Sequence, residues 1–176
     1  MNKIFLIISV VILSGCASSG YVMKNSFSVD ELGWFIAGGT TTVEGSAFLR
    51  QRGGGIVTCA GNEVDLVPVT KYSTERMTFL YENTEFGILQ TGLPAILRGK
   101  LFKGGETAGA YLKYLLKTTC DVDGKFQFQN VPQGSYYLIT KVEWNTGRNM
   151  FENEGGFIMK RVSVNNKELE KFIISN

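Results

Sequence analysis

The sequence contains no histidine. That absence removes Ser-His-Asp and Cys-His catalysis and the commonest zinc ligand. Charge of one sign is lacking too: 18 Lys and Arg stand against 16 Asp and Glu, for a net +2, with the basic residues spread along the chain. Such a balance argues against nucleic acid as a partner. No apolar run reaches the 20 or so residues that a bilayer-spanning helix requires. Glycine-rich phosphate loops are missing as well. Gly53-Gly54-Gly55 and Gly104-Gly105 have neither the Lys-Ser/Thr ending nor a G-x-G-x-x-G context, and both read as hairpin turns. Asp121-Val122-Asp123-Gly124 opens like some calcium loops, but position twelve counted from Asp121 is Pro132 where an EF-hand needs Glu. Glu152 and Glu154 flank Gly155-Gly156 and read as solvated surface. The expectation is a protein that is not an enzyme and carries no metal or cofactor.

What is present begins at the N-terminus. Met1-Asn2-Lys3 is a short cationic start, Ile4 to Leu13 is apolar except for Ser9, and Leu13-Ser14-Gly15-Cys16 ends in small residues and a cysteine. A charged start, apolar middle and small-residue end describe a secretory signal. Leu-Ser-Gly-Cys resembles the lipobox of bacterial lipoproteins. The resemblance implies a signal peptide over 1–15, cleavage before Cys16 and lipid on its thiol; the alternative is a plain secretory signal with an incidental cysteine. Each buried methylene contributes about 0.8 kcal/mol, so two or three acyl chains hold far more firmly than one. Ala17 replaces the Asp that retains such lipoproteins in the inner membrane, which implies the outer membrane as the location.

Lipidation would consume Cys16 and leave Cys59 and Cys120 in an oxidising compartment, either as one disulfide or as two separate buried thiols. Residues 16–42 read as a tether, with Ser18-Ser19-Gly20 flexible and Gly38-Gly39-Thr40-Thr41-Thr42 closing the segment. Phe27, Trp34, Phe35 and Ile36 are too apolar for a pure linker, so part of it is expected to pack on the domain.

The remainder, 43–176, suits a single domain. With 21 glycines, 3 prolines and many short apolar runs, the chain favours an all-β fold. Asp121–Gly124 is a tight-turn signal. Lys125 to Gln129 then alternates with Phe126 and Phe128 on one face. Asn130 to Gly134 is a second turn. Beyond it, Tyr136, Leu138, Thr140, Val142 and Trp144 share the face assigned to the core, opposite Tyr137, Ile139, Lys141 and Glu143. Strands are also expected over 157–164 and 169–174.

The run from Asp121 to Leu138 resembles the carboxypeptidase regulatory-like domain, whose hallmark is D-x-D-G-x-F-x-F followed by V-P-x-G-x-Y-x-L. Val43-Glu44-Gly45-Ser46-Ala47 is similar, more loosely, to that family's opening strand, with Glu63 to Val69 as the next. The resemblance implies a single antiparallel β-sandwich of about seven strands, related to transthyretin and starch-binding modules. Such domains serve as accessory, stabilising or binding modules without catalysis.

The chain departs from that pattern over about 70–117, a loop-rich insertion. There Ser73-Thr74-Glu75-Arg76 is expected to cap a short helix reaching about Glu82, with Met77, Leu80 and Tyr81 on one side. Tyr111 to Thr119 reads as a strand. Two functions follow. One is a structural or protein-interaction lipoprotein of the cell envelope, presenting a loop surface to another envelope protein. The other is a carbohydrate- or peptidoglycan-binding module, in which Tyr111, Tyr114 and Tyr137, together with Trp34, would stack on sugar faces. The alternative for these rings is ordinary core packing, because strands favour aromatics.

Overall fold

The computed structural model describes residues 21–91, 102–103, 108–147 and 153–175. Its strands are β1 (Tyr21–Val22), β2 (Thr41–Arg50), β3 (Ile56–Thr58), β4 (Glu63–Pro68), β5 (Phe86–Gln90), β6 (Phe102–Lys103), β7 (Leu116–Thr119), β8 (Lys125–Val131), β9 (Gly134–Asn145), β10 (Asn153–Val164) and β11 (Leu169–Ile174). Helical turns are few: α1 (Gly33–Ile36) after a 3-10 turn at Val29–Leu32, α2 (Lys71–Tyr81), and α3 (Ala108–Tyr111) running into a 3-10 turn at Leu112–Tyr114.

The fold is an all-β sandwich. One sheet has five antiparallel strands in the order β5-β10-β9-β4-β7. The other is built on β2, which carries β11 along one edge. Its second edge is divided between β8, along Thr41 to Ser46, and β3, along Phe48 to Arg50. Among the described residues the sandwich thus has nine strands where about seven were expected, and the β2–β11 pair is parallel. Part of the excess comes from the insertion, which contributes α2 and also β5, an edge strand of the larger sheet.

Alternation explains the core. Val43, Ala47 and Leu49 of β2, Phe126 and Phe128 of β8, Val64 and Leu66 of β4, and Tyr136, Leu138 and Val142 of β9 point between the sheets and are buried. Gly45 lies in the same inward series: a Cβ there would stand 2.3 Å from the Phe126 ring, so glycine makes room for the aromatic beside it. The predicted turn after β8 is shorter than its sequence signal. Asn130 adopts φ 56°, β8 continues to Val131, and only Pro132 and Gln133 separate it from β9. The Tyr136 hydroxyl donates to the Pro132 carbonyl at 2.7 Å across this corner.

Cys59 and Cys120 form a disulfide with a Cα–Cα distance of 5.8 Å. Cys59 follows β3 and Cys120 follows β7, so the bond ties one sheet to the other.

A second core lies on the far side of the five-stranded sheet. Tyr137, Val67 and Met159 project there, beneath Tyr72 and Met77 of α2, Tyr111, and Phe27 and Leu32 of the N-terminal segment. Part of the segment before β2 thus packs on the domain, as its apolar residues led one to expect: Phe27 and Leu32 are buried in the folded unit. The expected helix is present but starts at Lys71, not after Ser73. Thr70 is its N-cap, with its hydroxyl accepting from the Ser73 amide at 3.1 Å and the Ser73 hydroxyl accepting from the Thr70 amide at 2.8 Å. The strand predicted over 111–119 is paired only from Leu116. Upstream the chain coils, seating the Tyr111 ring 5.0 Å from Tyr72 and 5.9 Å from Phe27.

Candidate functional site

On β2 the inward series leaves Glu44 and Ser46 on the opposite, outer face. Register then sets two outward rows across the sheet. Gln127, Glu44 and Lys171 form one row on β8, β2 and β11; Lys125, Ser46 and Ile173 form the next. Gln127 Nε2 donates to Glu44 Oε1 at 3.2 Å, and Lys171 Nζ lies 3.4 Å from Glu44 Oε2. Lys125 Nζ is 3.3 Å from Asp123 Oδ2. The two rows line an open groove of about 660 Å³, which also takes in Asp121 and Thr118 and Thr119 of β7. Its volume falls within the usual range for small-molecule sites.

The groove alternates charge. Glu44 stands between an amide and an ammonium, and Lys125 is answered by Asp123. Asp121 instead shapes the turn beside it. Its Oδ1 accepts from the amides of Asp123 at 2.9 Å and Lys125 at 2.8 Å, and Gly124 completes the turn at φ +76°. Among the described residues no group of three or more His, Cys, Asp or Glu assembles around a point that would hold a metal ion.

The aromatic platform expected from Tyr111, Tyr114 and Tyr137 is corrected by the burial of Tyr111 and Tyr137. Tyr137 is 0% exposed and its hydroxyl lies 3.2 Å from Thr74 Oγ1 under α2. The cause is that β9 is covered on both faces, so its second face is core as well. Tyr111 is buried beside it; it borders a cavity of about 210 Å³ under α2, below the roughly 300 Å³ at which ligand pockets begin. Tyr114 is half-buried, packed 5.5 Å from Phe27. Trp34 is also half-buried, edge-on to Tyr136 at 5.4 Å, where it closes one end of the sandwich. Cys16 and most of the glycine-rich part of the insertion lie outside the described residues. The rows around Glu44 escape sequence reasoning because their members come from three distant strands. Alternation marks each as outward-facing, but only the pairing order brings them together.

No family model matches the sequence, and no curated protein does. The fold is similar to a solved structure from Pseudomonas aeruginosa described as a "putative carbohydrate binding protein". The TM-score is 0.69 at 21% identity, over 86% of this chain and 99% of that one. At that identity the likeness concerns the fold.

Proposed function

We propose that this chain is a lipid-anchored, non-catalytic module of the cell envelope whose four-stranded sheet binds a glycan in the groove around Glu44. The observation that carries the reading is the Gln127–Glu44–Lys171 row. It offers donors and acceptors on neighbouring strands about 4.8 Å apart, a spacing comparable to one sugar ring. Alternating charge suits hydroxyls better than a polyanion, and Ile173, exposed on β11, supplies an apolar edge for a sugar's C–H face. The description of the structural neighbour supports the same class of ligand.

Calorimetric titration of residues 21–176 with neutral polysaccharides and soluble peptidoglycan fragments tests it. Saturable binding is expected, falling at least about tenfold, or about 1.4 kcal/mol, in Glu44→Ala and Lys171→Ala. Their thermal midpoints should barely change, since exposed pairs contribute about 0–1 kcal/mol. If no glycan binds, the reading fails. A protein partner then takes its place, for which Leu169 and Ile173, exposed on β11 of the same sheet, are the observation in favour. The anchor has its own check. Intact mass spectrometry of the membrane-extracted protein should give a chain starting at Cys16 plus acyl groups, and an unmodified chain would remove the anchor.

A further inference from the structure

The second core bears on how an anchored chain would sit. Tyr21 does not hang free of the domain. Its hydroxyl donates to Glu75 Oε1 at 2.6 Å, and its ring stacks on Phe79 at 4.5 Å. The same carboxylate accepts from the Lys24 amide at 2.7 Å, the Asn25 amide at 2.8 Å and Asn25 Nδ2 at 2.6 Å. Four hydrogen bonds and a stacked ring pair thus hold 21–25 to α2. Further along, Phe27 and Leu32 are buried. Charge-assisted bonds of this kind are stronger than neutral ones.

Only Ala17, Ser18, Ser19 and Gly20 lie between Cys16 and the first latched residue. At about 3.6 Å per residue, the chain from Cys16 to Tyr21 reaches no more than about 18 Å. Tyr21 is attached to the α2 layer through Glu75 and Phe79, along the flank of the helix that also carries Tyr72. From that point inward the layers run helix, five-stranded sheet, central core and four-stranded sheet. Layers stack about 10 Å apart, so the outer face of β11 lies about 20 Å beyond α2.

We propose that the Glu75 latch makes the α2 layer the membrane-facing side of the domain and directs the Glu44 groove away from the bilayer. Its occupant is the lipid headgroup surface, because a tether reaching about 18 Å cannot bring the outer face of β11, about 20 Å beyond α2, to the bilayer while the latch is closed. Val22, 65% exposed, and Lys24 stand at this side and suit an interface with apolar and anionic components. The inference rests on lipidation of Cys16.

The test uses the full lipidated chain in phosphatidylcholine vesicles containing a nickel-chelating headgroup lipid. A nitroxide is placed at Thr78→Cys on α2 or at Ile173→Cys on β11, both exposed positions. Relaxation enhancement by headgroup nickel is expected to be several-fold stronger at position 78 than at 173. Inserting about twenty Gly and Ser residues between Gly20 and Tyr21 leaves the latch and fold untouched and should abolish the difference, since a flexible chain of that length reaches around the domain. Glu75→Ala should reduce it by freeing 21–25. Equal enhancement at the two positions with the native tether, or a stronger one at 173, overturns the proposal while leaving the anchor intact. Failure of the protein to float with the vesicles overturns the anchor and this proposal together.

Discussion

Glu75 sits at what reads in the sequence as the start of a short helix, yet it gathers four donors from residues 50 and more positions away. Burial alone raises the pKa of this carboxyl. Hydrogen bonds from the Lys24 amide, the Tyr21 hydroxyl and Asn25 outweigh it and hold the group at about 2, below its ordinary 4.5. A carboxylate with a lower pKa in the folded state contributes stability that is fully present above the unfolded value and lost as pH falls through the folded one. The latch should therefore hold at pH 5 and weaken from about pH 4.5 down to about 2. In the folded protein, the 15N shifts of the Lys24 and Asn25 amides should titrate together with a midpoint near 2; Glu75→Gln should show no such transition. A midpoint at the ordinary value of 4.5 would mean that the carboxylate is free. Tyr137 is the converse case. Its place in a strand was readable from alternation, but its burial depended on a helix from the insertion covering the second face.

Among the elements, the ones legible in advance have their own local signals. β11 occupies the predicted 169–174, and β2, β4, β8, β9 and β10 lie within a few residues of their apolar alternation. The turn at Gly53–Gly55 formed as read, with the Gln51 amide donating to the Gly55 carbonyl at 2.8 Å. The strand expected over 111–119 gives way at its start to the end of α3 and a 3-10 turn: Tyr111 and Tyr114 have high strand propensity, whereas contact with Phe27 and Tyr72 decides their conformation. The disulfide joins two such elements across 61 residues. Closing a loop of that length restricts the unfolded chain by about 4 kcal/mol, an upper value for its contribution. Cys59→Ala with Cys120→Ala should lower unfolding stability in urea by up to about that amount, with the β-sheet circular dichroism retained at low denaturant. A double variant as stable as the parent would show that sheet packing alone fixes the spacing of β3 and β7.

On the scale of the whole molecule, the domain is a sandwich backed by a third layer made from the insertion and the N-terminal segment. That layer is part of the folding unit. Phe27 and Leu32 are buried in it, and fully burying such side chains contributes roughly 1.5–3 kcal/mol each. Trp34 also packs so closely on β9 that a Cβ at Gly134 would come within 2.1 Å of its ring. A chain starting at residue 37 should therefore lose about 3–6 kcal/mol from Phe27 and Leu32 alone, read as a large fall in the urea midpoint. Unchanged stability would return 21–36 to the status of a spacer.

Local sequence was enough to specify the β class, the turns at 53–55 and 121–124, the inward series of the main strands, the two cysteines that pair and the lipobox-like start. Each of these depends on residues close together in the chain, where side-chain period and backbone preference act directly. Strand order, the parallel seating of β11 on β2, the second core and the Glu44 row came only with the packed chain. They require segments 40 to 127 positions apart to meet, and alternation states which way a side chain points without stating which strand lies beside it.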